Sequence, residues 1–123
     1  MNWLPPKTVV WVGPTRKALK EFPRPVQRNV GLALFAAQLG ETPPDAKPLK
    51  GLGSAGVLEV VEDHRGDTYR AVYTVRFATK LYVLHVFQKK SKHGIATPKK
   101  EIDLVRSRLK WAEDLHFGRT EED

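Results

Sequence analysis

The chain is 123 residues long, 41% hydrophobic and 28% charged, and its 21 Lys and Arg against 14 acids give a formal net charge of +7. That composition fits one soluble globular domain with a single modest core and excludes an intrinsically disordered chain. Cysteine is absent, which removes disulfides, thiolate metal sites and cysteine nucleophiles from consideration.

Thr8 to Val12 is a compact β-branched and aromatic run closed by Gly13-Pro14, the pattern of a first strand. Thr15 is placed to cap a short helix reaching Phe22, with Pro23 and Pro25 punctuating its end. The next helix is expected from Pro25 to Leu39, with Gly40 just past its end. Val26, Val30, Ala33, Leu34 and Ala37 form its apolar stripe, and Leu32, Phe35 and Leu39 widen it, so the helix is expected to be pressed between neighbours. Thr42-Pro43-Pro44-Asp45 reads as a loop. Three strand-like runs follow, Val57–Val61, Asp67–Val75 and Leu81–Phe87, with turns at Arg65-Gly66-Asp67 and around Ala78-Thr79-Lys80. Such short connections allow an antiparallel meander. Thr97-Pro98 is a helix-start pair, a hydroxyl cap followed by proline, and Ile102, Val105, Leu109 and Ala112 carry a last helical stripe. Trp11 and Trp111 both lie in apolar patterns and are assigned to the core. The order is β-α-α-β-β-β-α, a small α+β domain over residues 1–123 with frayed ends at 1–6 and 118–123.

Charge is distributed unevenly along this framework. Residues 1–50 hold eight Lys and Arg against three acids, 51–87 are balanced at four each, and 88–110 hold eight against two. The last block begins where Leu81-Tyr82-Val83-Leu84-His85-Val86-Phe87-Gln88 runs directly into Lys89-Lys90. A strand buried on both faces therefore delivers positive charge at its C-terminal end, and a polyanion, nucleic acid ahead of membrane, is the expected partner. Four scattered histidines show no metal-ligand spacing, so neither a metal nor a cofactor is expected. Met1 to Pro6 has no basic start, and no run approaches the roughly 18 apolar residues of a span. A cytoplasmic protein with no membrane association is the reading that follows. Lys47-Pro48-Leu49-Lys50-Gly51-Leu52-Gly53 lacks the spacing of a nucleotide-binding P-loop.

Strand alternation suggests which side chains meet. Glu59, Arg70 and His85 or Phe87 can share one sheet face near Lys89 and Lys90, with Leu81, Val83, His85 and Phe87 pointing the same way. An ordinary cross-strand ion pair is the competing account of Glu59 and Arg70. For His85 the competing account is a hydrogen-bonded core histidine, and for His93 a surface loop residue.

Lys47 to Val60 (KPLKGLGSAGVLEV), then Gly66 to Tyr73 (GDTYRAVY), then Leu81 to Ile102 (LYVLHVFQKKSKHGIATPKKEI) resembles the phage-derived HigB-like toxins of the RelE/ParE superfamily. The likeness covers most of the chain, from the first strand to the last helix. It implies a small antiparallel sheet, mixed at one edge, with two N-terminal helices and a C-terminal helix. It further implies the toxin of a type II toxin–antitoxin module, a metal-independent endoribonuclease cutting mRNA on the ribosome and held by a helix-turn-helix antitoxin. The matched motif positions are Lys50, Glu59, Arg70, Phe87, Lys89 and Lys90.

Cleavage of this type uses the ribose 2′-hydroxyl against the adjacent phosphate, so the protein must accept a proton, stabilise charge on phosphorus and protonate the leaving oxygen. Arg70 is the expected phosphate grip because its planar fork holds two oxygens. Lys50, Lys89 and Lys90 add charge, Glu59 is the expected base, and His85 and His93 are candidate acids. Lys92, Lys99, Lys100 and Arg106 are expected to bind RNA backbone. RelE places lysines where this chain has Leu58-Glu59-Val60-Val61 and uses a C-terminal tyrosine, whereas this chain has no tyrosine after Tyr82. The acid and base therefore rest on chemistry and motif position. A ParE-like gyrase inhibitor and a non-catalytic phage-derived nucleic-acid-binding protein are the alternatives.

Overall fold

A computed structural model describes residues 5–89 and 97–118. It contains β1 (Thr8–Trp11), α1 (Thr15–Lys20), α2 (Arg24–Gln38), β2 (Ala46–Pro48), β3 (Val57–His64), β4 (Asp67–Thr74), β5 (Lys80–Lys89) and α3 (Lys99–His116). The sheet order is β1-β5-β4-β3-β2, with β1 parallel to β5 and every other pair antiparallel. The α+β class and the mixed edge thus agree with expectation. The added element is β2, three residues long and ending on Pro48. It pairs only with β3, and an edge is where a strand tolerates a proline.

The β3–β4 hairpin is closed by Arg65 and Gly66, both at positive φ, between the paired residues His64 and Asp67. That is the two-residue turn whose twist matches antiparallel strands, and it sets the register that later aligns Glu59 with Arg70.

Helices cover both faces of the sheet. Val26, Val30, Ala33, Leu34 and Ala37 of α2 bury against Val60, Tyr69, Ala71, Tyr73, Leu81, Val83 and Val86. On the other face Val105, Leu109 and Ala112 of α3 bury against Val12, Leu49, Leu52, Val57, Val72, Tyr82 and Leu84. The expectation that α2 is pressed between neighbours is corrected here. Leu32, Phe35 and Leu39 all lie on its exposed side, because the sheet covers only one face of this helix. Trp111 is likewise half exposed, whereas Trp11 packs into the α2 side of the core.

One irregularity decides what reaches the site. Val72 pairs with His85 but Tyr73 pairs with Val83, so Leu84 is an extra residue on β5. Such a bulge inserts one residue and changes which face the following side chains address. Leu81 and Val83 therefore join the α2 core while Leu84 and Phe87 lie on the α3 side, where His85 also bonds to α3. Strict alternation, which would group Leu81, Val83, His85 and Phe87, fails at this point.

Candidate active site

Glu59 lies on β3 opposite Val72, and Arg70 lies on β4 opposite Val61, so the two are diagonal neighbours on the α3 face. Arg70 Nη1 donates to Glu59 Oε1 at 3.0 Å and contacts Thr97 Oγ1 at 3.0 Å. Thr97 Oγ1 in turn donates to Glu59 Oε2 at 2.9 Å. The three side chains close a hydrogen-bonded triangle in which Arg70 and Glu59 are only 3% and 4% exposed. This is a buried, bridged ion pair and not a solvent-screened one, which changes its energetics: losing one partner costs about 3–5 kcal/mol.

Thr97 reaches the triangle because it does not cap α3. The residue at the cap position is Pro98, and no side chain caps the helix. The expected role as a hydroxyl cap is thus corrected: the Thr97 hydroxyl is taken by a carboxylate and a guanidinium, and hydrogen bonds to charged groups are the stronger ones. Thr15 is corrected in the same way, since it lies inside the first turn of α1 with Pro14 at the cap position and no side-chain cap bond.

Glu59 and Thr97 form one wall of a cleft of about 280 Å³ whose remaining lining is Lys47, Pro48, Leu49, Lys50 and Ile102. Lys47 pairs directly across from Glu59 in the β2–β3 register, and Lys50 is exposed at the mouth. Arg106 of α3 extends over the loop that follows: a Cβ built on Gly51 would lie 3.6 Å from its Nη2. Lys89, at the end of β5 and opposite Thr68 of β4, is buried. Burial lowers its pKa below the ordinary lysine value, the nearby Arg70 and Lys47 charges lower it further, and Glu59 opposes them. The strand end is therefore buried and not a solvated terminus.

His85 is brought onto this face but belongs to a different network. Its Nε2 meets Glu101 Oε2 at 2.5 Å, and Arg108 Nη1 lies 3.1 Å from its Nδ1 while donating to Leu84 O at 3.0 Å. Arginine can only donate, so Nδ1 is the acceptor and Nε2 carries the proton to Glu101. Burial lowers the His85 pKa and Arg108 adds to that, against the pull of Glu101. The ring stacks on Phe87 with centroids 4.6 Å apart. His85 is thus a neutral, doubly engaged histidine that fastens α3 to β5, which is the core role weighed against catalysis.

The other expected residues divide by location. Lys99 and Lys100 are exposed in the first turn of α3, two and three residues beyond Thr97, and Lys99 also pairs with Asp103 at 2.8 Å. Lys90, Lys92 and His93 lie outside the described residues. Sequence reasoning did not select Lys47 or Thr97. Lys47 could have been found from its place two residues before Leu49 and its register opposite Glu59, once β2 is recognised; Thr97 offers no such signal, because its cap-like setting points elsewhere.

Among the described residues no group of three or more His, Asp and Glu side chains is placed to hold a metal ion. What the arrangement can do is receive one anion: a cleft lined by a single carboxylate and by Lys47 and Lys50, with the buried Lys89 close enough to feel the charges of Glu59 and Lys47. Residues 17–110 match the family model described as phage-derived protein Gp49-like (DUF891). No curated protein matches the chain.

Proposed function

The chain belongs to the phage-derived Gp49-like family, a family of RelE/ParE-like toxins, and from that premise we propose that it is the toxin of a type II toxin–antitoxin module. On this reading it acts in the cytoplasm as a HigB-like, ribosome-dependent mRNA endonuclease, restrained by a helix-turn-helix antitoxin. The observation that carries the catalytic part is the Glu59–Arg70–Thr97 triangle at the wall of a lysine-lined cleft, with the charge of the buried Lys89 coupled to Arg70 and Glu59.

The scissile phosphate enters beside Lys47 and Lys50, whose charges suit a phosphate in a cleft of this size. Its oxygens compete with the Glu59 carboxylate for the Arg70 guanidinium, a fork suited to two anionic oxygens. Glu59, released from Arg70, accepts the proton of the ribose 2′-hydroxyl. The 2′-oxygen forms its bond to phosphorus as the bond to the 5′-oxygen breaks, and Lys89 gives a proton to the departing oxygen. A lowered lysine pKa is the direction that makes an ammonium a better acid near neutrality. The products are a 2′,3′-cyclic phosphate and a 5′-hydroxyl. Thr97 holds the Glu59 carboxylate in place before substrate arrives. Lys90 adds charge for the reaction, and Lys92, Lys99, Lys100 and Arg106 bind the RNA backbone.

Induction of the gene followed by mapping of mRNA 5′ ends tests this reading. Discrete cuts in translated messages are expected. DNA damage with intact mRNA would instead identify a gyrase poison, and absence of toxicity would identify a nucleic-acid-binding accessory protein.

A further inference from the structure

Three side chains of α3 and its lead-in make directional bonds to the sheet, and they lie on one stripe. Thr97 stands four residues before Glu101 and Arg108 seven after it, so successive members are about one and two helical turns apart. Thr97 bonds Glu59 and Arg70, and Glu101 bonds His85 at 2.5 Å. Arg108 Nη1 bonds both Leu84 O at 3.0 Å and His85 Nδ1 at 3.1 Å. The apolar stripe of Val105, Leu109 and Ala112 holds α3 against the sheet, but apolar contact is non-directional and does not fix where along the sheet the helix sits. Two further bonds, Arg76 to Glu113 and Tyr82 to His116, hold the far end of the helix, remote from Thr97.

The β5 bulge is what the helix is keyed to. An inserted residue is left off the ladder, and the carbonyl of Leu84 receives Arg108 instead. The turn after β1 backs the same side chain: a Cβ built on Gly13 would lie 3.8 Å from Arg108 Nε. His85, next to the bulge, is buried and spans the two anchors, accepting from Arg108 at Nδ1 and donating to Glu101 from Nε2. Its ring also stacks on Phe87, and Phe87 pairs across from Arg70. The bulge therefore reaches the Glu59–Arg70–Thr97 triangle by two routes, through the first turn of α3 and through the Phe87 ring.

We propose that Glu101 and Arg108, acting through His85, are positioning residues of the site: they key α3 to the Leu84 bulge and so set the Thr97 hydroxyl on Glu59 and Arg70. Thr97 meets these partners at 2.9 and 3.0 Å, and a slide of about 1 Å along β5 would carry it out of hydrogen-bond range of both. The effect on cutting rests on the RNA-cleavage reading; the coupling of Glu101 and Arg108 to Thr97 does not.

The test uses the full chain with 13C at threonine methyls and glutamate carboxyls, read by NMR, with cleavage on programmed ribosomes followed in parallel. Glu101→Ala should shift the Thr97 methyl and Glu59 carboxyl signals and lower kcat about 10- to 100-fold with KM within about twofold, the pattern of a misplaced group. Glu101→Gln removes the same charge but keeps an acceptor for His85 Nε2–H, and should restore both signals and kcat. Arg108→Met should move the same two signals, so the decision does not depend on Glu101→Ala folding. Leu109→Ala loosens α3 by loss of apolar contact alone; it should lower the melting temperature and leave both signals in place. The NMR arms decide the positioning by themselves, while the kcat arm also needs the RNA-cleavage reading to hold. Signals unmoved in Glu101→Ala or in Arg108→Met would overturn the proposal. So would signals still displaced in Glu101→Gln, or displaced as far by Leu109→Ala as by Glu101→Ala.

Discussion

Substituting Glu59 by glutamine keeps the shape of the side chain and removes its charge. In the folded chain that charge faces the Arg70 guanidinium at 3.0 Å, with both groups 3–4% exposed. Arg70 would then be a buried cation facing a neutral amide, and removing one member of such a pair costs about 3–5 kcal/mol. That is a large share of the roughly 5–15 kcal/mol by which a domain is stable. For a chain of this length it corresponds to a fall in Tm of roughly 10–20 °C. Removing both charges at once is a different perturbation: replacement of a buried pair by apolar residues of similar volume is often neutral or stabilising. E59L/R70M is therefore expected within about 2 kcal/mol of the wild type, less stable only by what the Thr97 hydroxyl loses. The single variants E59L and R70M and the double variant, compared by urea unfolding, should give a coupling energy of at least about 3 kcal/mol. The same double variant separates scaffold from chemistry, because it should recover the fold and still fail to cut RNA. Single variants that each cost under about 1 kcal/mol and add in the double would mean a solvent-screened pair, and the reasoning about the buried triangle would be refuted.

Thr97→Val removes a hydroxyl that bridges two charged groups and should cost about 1.5–3 kcal/mol in unfolding free energy, with a larger loss of cleavage than a remote variant of equal stability. Lys89→Met replaces a buried lysine with an apolar side chain of similar length; stability should hold or rise, while single-turnover cleavage falls on the order of 100-fold. Glu62 has its pKa raised by burial, then by Asp45, so its contribution to stability is present below the ordinary carboxylate range and is lost as pH rises through the raised value. Glu62→Gln should accordingly raise Tm at pH 8 and lose that advantage near pH 4, as read by thermal melts at the two pH values. His85 is the opposite case, with its pKa lowered: its contribution is present above about pH 6.5 and is lost as pH falls through the depressed value. Its ring nitrogens, followed by 15N NMR, should report the Nε2-protonated neutral tautomer at pH 6.5.

Local pattern carried most of the fold. Alternating and β-branched runs located β1, β3, β4 and β5, and the three-four spacing of Val26, Val30, Ala33, Leu34 and Ala37 located α2. Glu59 and Arg70 met because the Arg65-Gly66 turn admits only one register for β3 and β4. Three features were not legible, each for a physical reason. The Leu84 bulge falls in an unbroken apolar stretch, where a shift of one residue leaves no mark on the hydrophobic pattern. β2 is three residues of edge strand with a proline and a lysine, too short for any periodicity, and so Lys47 went unnoticed opposite Glu59. Thr97 precedes a proline at a helix start, the setting of a cap, and only the tertiary approach of Glu59 and Arg70 diverts its hydroxyl. The exposed face of α2 shows the converse limit: spacing gave the positions of Leu32, Phe35 and Leu39, but burial depends on what lies opposite, which no local pattern contains.

The central claim is phosphoryl transfer by the ribose 2′-hydroxyl at the Glu59–Arg70–Lys89 site. Its most direct test is cleavage of an mRNA on programmed ribosomes by the purified chain, with end-group analysis of the products and a matched message carrying one 2′-deoxy nucleotide at the cut position. The account predicts 2′,3′-cyclic phosphate and 5′-hydroxyl ends from the natural message, no cut at the deoxy position, and cutting by Lys89→Met slowed on the order of 100-fold. An uncut natural message, or cleavage that persists at the 2′-deoxy nucleotide, would contradict it.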